Sequence, residues 1–107
     1  MSENVFTRDV EALERADLLH LASQPEGRRF LWSLIERTGA WSPSYDTDAN
    51  VTAYREGRRS IGLDLSEALK QVVPRQYLLM VQEAAQRAVE AIAAAEADAK
   101  REAEGRQ

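Results

Sequence analysis

Apolar residues recur every three or four positions along most of the chain, and no segment alternates convincingly with period two or carries an Asn-Gly or Asp-Gly hairpin signal. Val10, Leu13, Leu18 and Leu21 predict a first helix running to about Ala22, with Thr7 as its N-cap and Asp9 and Glu11 placing negative charge at its positive end. Arg8, Glu11, Glu14, Arg15 and Asp17 cover its other side, and residues Met1 to Phe6 read as a disordered lead. Ser23-Gln24-Pro25-Glu26 opens a second helix, because proline fits a first turn and glutamate complements the helix dipole there. Its buried side is expected to carry Phe30, Leu31, Leu34, Ile35 and Thr38, and Gly39 ends it as a residue able to adopt positive φ. Gly27 weakens the first turn, which implies close packing there or a later start. Trp32 lies off the main stripe, either covering a neighbouring helix or serving as an exposed anchor.

The stretch AWSPSYDTDA, residues 40–49, reads as a loop by its Pro, Ser and Asp content, with Trp41 and Tyr45 expected to pin it to the core. Asp46, Asp48 and Asn50 have the spacing of calcium ligands. The glycine and glutamate that such a loop requires are replaced by Val51 and Gly57, so helix capping by Thr47, Asp48 or Asn50 is the better account. A third helix from Asn50 to about Val73 aligns Tyr54, Ile61, Leu65, Leu69 and Val72 near one line. Pro74 disfavours the α conformation of the residue before it and can itself begin a fourth helix. There Tyr77, Leu78, Val81, Ala85, Ala88 and Ile92 form an apolar stripe, widened by Leu79 and Met80. Beyond Ile92 the chain has no large apolar side chain, only alanines and charges of good helix propensity. This arm is either a solvated, fraying extension or an alanine face for a neighbouring copy or partner.

These readings predict an all-α fold: a small bundle of three core helices plus a peripheral N-terminal helix, with a C-terminal helical extension. One domain over residues 7–92 and an arm over 93–107 follow, since 107 residues leave room for a single modest core. With 44% hydrophobic and 30% charged residues the chain has the composition of a globular protein, not a disordered one. A formal net charge of −4 argues against broad electrostatic capture of nucleic acid or acidic membranes, although a local basic face could survive it. The absence of cysteine removes disulfides and thiolate metal sites. No apolar run approaches the roughly 20 residues of a membrane span, and the start SENVFTRDVE is unlike a signal peptide. A soluble protein made in the cytoplasm is expected.

The chemistry on offer is sparse. His20 is the only histidine, and nucleophile-elbow, phosphate-loop, dinucleotide and zinc-protease motifs are missing. Neither an enzyme nor a cofactor site is therefore expected. The arginines are more informative: Arg28, Arg29, Arg55, Arg58 and Arg59 could form one patch if the second and third helices cross near Gly27 and Gly57. A guanidinium fork suits carboxylate or phosphate. Three readings are open: internal salt bridging, with Glu56 near Arg59 and acids of the loop nearby; an acidic protein partner; or nucleic-acid phosphate. Trp32 and Trp41 join the arginines as candidate partner-binding residues. Gly57 and Gly62 each cost a helix interior about 1 kcal/mol against alanine, which predicts close approach of another element or a kink between them.

Arg29-Phe30-Leu31 with Leu34-Ile35-Glu36, Gly39 before an aromatic, Tyr45, and Thr52-Ala53-Tyr54-Arg55-Glu56-Gly57-Arg58-Arg59 followed by Gly62-Leu63 and Leu65 form a distinctive succession. It is similar to a family of small tailed-bacteriophage proteins of poorly defined role, from short-tailed phages, usually encoded among structural and packaging genes. Pro74, Tyr77 and Met80 through Glu83 continue the likeness, which covers about residues 28 to 84. Trp41 departs from it, standing where the family more often has a smaller apolar residue or Phe, and the arm after Ile92 lies outside it. The resemblance implies a minor virion or assembly protein in the virion, internal or ejected or a head–tail accessory. Such a protein would contact other virion proteins and further copies of itself as a homo-oligomer. The alternative is a DNA-packaging or regulatory factor that binds nucleic acid through the arginines.

Overall fold

The computed structural model describes residues 5–106, with side chains from Glu11 onward; the expected lead over residues 1–4 and the packing of Val10 lie outside the described residues. Four helices follow in order: α1 (Val5–Ala22), α2 (Pro25–Arg37), α3 (Ala49–Val72) and α4 (Pro74–Gly105). The described residues contain no strand. α1 has already begun at Val5, so Phe6 belongs to the helix and Thr7 lies inside it instead of capping it.

Local chemistry explains the other boundaries. Pro25 occupies the first turn of α2, and Gly39, at φ +73°, ends the element by turning the backbone into the left-handed region. Asp48 caps α3: its carboxylate accepts from the backbone N–H groups of Asn50 at 2.8 Å and Val51 at 3.4 Å. Asp46 in turn accepts from the Asp48 N–H at 2.9 Å, so the pair that mimics a calcium motif builds a turn and a cap. Between α3 and α4 only Val73 leaves the helical conformation, at φ −131° and ψ 61°, as expected of a residue ahead of proline. Its N–H still reaches the Leu69 carbonyl at 2.9 Å, and its own carbonyl accepts from Tyr77 at 2.8 Å. The hinge is one residue long.

α2, α3 and α4 pack against one another, and α1 lies on α2 and α3. This is the expected three-helix core with a peripheral first helix. The buried cluster comprises Ala22, Leu31, Ile35, Ala40, Leu69, Val73 and Met80, with Leu18, Trp32, Leu65, Val72 and Tyr77 packed around it. Two glycines allow close approach. At Gly27 the Leu21 carbonyl at the end of α1 occupies the space a side chain would fill. At Gly62 a methyl would lie 2.9 Å from the Thr38 Cβ and 3.1 Å from the Ala40 Cβ. Gly57 is different: nothing approaches within 4 Å, so close packing does not explain it, and α3 runs through it as unbroken helix.

The buried faces of α3 and α4 follow their apolar stripes only in part: Leu69 and Met80 are buried and Leu65, Val72 and Tyr77 pack against the core, while the rest of each stripe does not. α3 buries Gly62, Ser66 and Leu69, while Tyr54 and Ile61 are exposed, the latter to 67%. On a helical wheel the buried line is roughly 90° from the Tyr54–Ile61 edge. Small residues win here because they let the backbones approach, and the Ser66 hydroxyl finds the Tyr77 hydroxyl at 3.2 Å. α4 buries Met80, leaving Leu78 63% and Ile92 59% exposed. Phe30 on α2 and Leu13 on α1 also face solvent, and Tyr45 does not pin the loop. The molecule is flat and long, 74 × 40 × 15 Å with a radius of gyration of 19.2 Å. A compact domain of this length would have about 13 Å; α4, extending well past the core, supplies the difference.

Candidate functional site

The five arginines do not form one patch. Arg28 is near the start of α2 and points inward, whereas Arg55, Arg58 and Arg59 cluster beside the loop that follows the other end of α2. The nine steps from Arg28 to Arg37 span about 13 Å of helix.

Arg28 is buried and fully engaged. Its Nε donates to Glu83 Oε1 at 2.8 Å and its Nη2 to Glu83 Oε2 at 2.9 Å, a bidentate fork from α2 to α4. Its Nη1 donates to the Ala22 carbonyl at 3.1 Å, satisfying the end of α1 as well. One guanidinium thus ties three helices. Its hydrogen bond to Glu83 holds that carboxyl below the usual carboxylate range against an opposing effect of burial, and the same bond raises Arg28. Arg29, exposed on the next position, lines an open concavity with Pro25, Gln86, Arg87 and Glu90.

Around the loop the pairing is looser. Arg55 lies 3.6 Å from Asp46 and Arg59 lies 3.7 Å from Glu56, one helical turn back, both in solvent-exposed settings. Glu56 also accepts from the Ser44 hydroxyl, which holds the loop on α3. Arg58 donates to the Arg37 carbonyl at the end of α2 and lies over the Tyr54 ring, 5.5 Å from its centroid. Trp41 stacks on Trp32 with centroids 4.7 Å apart and planes tilted by 33°. Trp32 is therefore half-buried and covers both the core and the loop, while Trp41 keeps one face in solvent.

Residues 42–44 separate two concavities. One, lined by Thr38, Ser42, Arg55 and Arg58, encloses about 180 Å³, below the roughly 300–1,000 Å³ of small-molecule sites. The other is a wide trough with Trp41, Glu56, Arg59 and Leu63 along it. Among the described residues no group of three His, Cys, Asp or Glu side chains is placed to hold a metal ion, and no helix is long and apolar enough to cross a membrane. His20, at the end of α1, has Gln24 within 3.3 Å as its hydrogen-bond partner. This rim can present fixed guanidinium and indole groups to a surface.

Sequence reasoning met Glu83 only as the end of the Met80-to-Glu83 likeness and missed its pairing with Arg28, 55 residues away. It read an apolar stripe from Tyr77 to Ile92, widened by Leu79 and Met80, of which Tyr77 and Met80 meet the core.

No curated protein and no solved structure matches the chain. A family model does match, over residues 18–82, the span that contains every residue of the buried cluster and ends before the exposed arm. The shared sequence is thus the packed core with its arginine-bearing α3, and the chain belongs to the family of Bbp19-like phage proteins, a phage family of poorly defined function.

Proposed function

We propose that this phage protein is a minor component of the virion or of its assembly, non-catalytic, internal or ejected or a head–tail accessory, and that it acts by docking on other proteins. The observation that carries the reading is the mismatch between core and surface. Among the described residues four large side chains are fully buried, Ile35, Leu69, Val73 and Met80, while Leu13, Phe30, Tyr54, Ile61, Leu78 and Ile92 are exposed. Exposed apolar area on this scale marks surfaces that are covered in use. The Arg55–Arg58–Arg59 rim with Trp41 adds the residue types most enriched at protein interfaces. Membership of a phage family supplies the setting.

Mass spectrometry of purified phage particles tests this directly. A fixed copy number per particle is expected, and its absence from particles removes the component version, leaving a transient assembly role. The nucleic-acid alternative is checked in parallel by anisotropy on labelled duplex DNA. Binding at low salt that falls steeply as salt rises would favour it; no shift with micromolar protein is the expected result.

A further inference from the structure

The apolar stripe that α4 withholds from the core has a regular spacing of its own. Leu78, Val81, Ala85, Ala88, Ile92, Ala95 and Ala99 follow one another at intervals of three and four, the a/d repeat of a coiled-coil seam held for three heptads. All seven are exposed, and they lie on the side of the helix away from Met80 and Glu83, which face the core. From Ala85 onward the helix has no buried residue, yet it continues unbroken to Gly105.

We propose that this seam is covered by α4 of a second copy, running antiparallel. The order of side-chain sizes selects that occupant. Leu78 and Val81 stand at the N-terminal end of the seam and Ala95 and Ala99 at its C-terminal end, with Ala85, Ala88 and Ile92 between them. A two-fold interface uses the same patch on both copies, so the patch must carry both the bulky and the accommodating half, and this one does. Antiparallel pairing sets Leu78 against Ala95 of the second copy, Val81 against Ile92 and Ala85 against Ala88, each layer occurring twice. The alanines allow the axes to approach to about 8 Å. Flanking charges agree: Arg75 of each copy faces Glu96 of the other, and no like charges oppose one another along the seam. Parallel pairing would instead stack Leu78 on Leu78, leave Ala95 and Ala99 each facing only its own kind, and oppose Glu102 with Glu102. Each arm would then lie along the first turns of the other copy's α4, on the side away from that copy's core.

The dimer goes beyond the assembly reading and is measured on the purified chain, whereas virion incorporation is measured on particles, so either can fail alone. Sedimentation velocity of the full chain from low to high micromolar is expected to show a monomer–dimer equilibrium. Ala88→Glu, on an exposed position that leaves the core untouched, is expected to weaken it at least tenfold with helical content and the melting temperature of the separated monomer unchanged. A monomer at every concentration, or a dimer indifferent to Ala88→Glu, overturns the proposal. Orientation is read by disulfide trapping, since the chain has no cysteine of its own. Leu78→Cys mixed with Ala95→Cys is expected to crosslink under mild oxidation, while either variant alone is not, because its own copies are about 25 Å apart in this register. Crosslinking of Leu78→Cys with itself, or no crosslinking in the mixture, overturns the antiparallel arrangement.

Discussion

Arg28 joins three helices through one side chain, and its value depends on Glu83. Removing one member of a buried pair costs about 3–5 kcal/mol; here the Glu83 side chain is 32% exposed, so screening reduces this to about 1–3 kcal/mol for Glu83→Gln. At neutral pH that is expected as a fall in melting temperature of roughly 5–15 °C. The folded-state value of Glu83 lies below its ordinary one, so the ionised pair stabilises the fold above the unfolded carboxylate range, and the contribution disappears as pH falls through the folded value. Arg28 stays charged throughout. The gap in melting temperature between the native chain and Glu83→Gln is therefore expected to narrow once the pH passes below about 4.3, and a gap constant down to acid pH would contradict the assignment. By contrast Arg55 and Arg59, with exposed partners at 3.6 and 3.7 Å, are expected to contribute well under about 1 kcal/mol each. The buried lock is at Arg28, while Arg55, Arg58 and Arg59 make looser internal contacts to Asp46, the Arg37 carbonyl and Glu56. The sequence shows the arginines and their local acids at i,i+3; it cannot show an acid brought in by a helix two elements away.

At the scale of elements, helix contacts are set by where side chains are small. Both interior glycines of α3 violate helix propensity, yet only one is used. Gly62→Ala is expected to push on Thr38 and Ala40 and to destabilise by about 1–3 kcal/mol. Gly57→Ala meets open space and is expected to stabilise α3 by up to about 1 kcal/mol. Urea denaturation of the two variants checks the contrast, and equal effects would refute the packing seen at Gly62. Asp48→Ala, which removes the cap of α3, is expected to cost about 0.5–2 kcal/mol in the same assay. The structure has no account of why Gly57 is glycine.

Across the whole molecule, α4 is two things in one helix. Its first turns complete the core through Tyr77, Met80 and Glu83; the rest of it lies outside any packing of a single copy. Deleting residues 93–107 is expected to leave the melting temperature of the separated monomer within a few degrees of the full chain, because surface positions rarely contribute more than about 0.5 kcal/mol each, while removing self-association. Calorimetry at low concentration and sedimentation at high concentration read the two effects apart. The flat 15 Å profile fits the same division, since a thin plate leaves both broad faces available to neighbours.

Helix number, the helix ends other than the start of α1, and the one-residue hinge before Pro74 were determined by the sequence alone, because proline, left-handed glycine and capping carboxylates act within a few residues of where they stand. The three-core-plus-one arrangement was legible too, from the strength of each apolar repeat. Which face each helix buries was decided only by tertiary packing. Periodicity marks an apolar stripe without naming what covers it, and close approach at Gly62 and Ser66 centred the contact of α3 there, so that Leu69 went inward while Tyr54 and Ile61, roughly 90° away, went outward. The same packing turned α4 so that Met80 went inward and the Leu78–Ile92 seam outward, leaving the clearest hydrophobic pattern in the chain for something outside this copy of it.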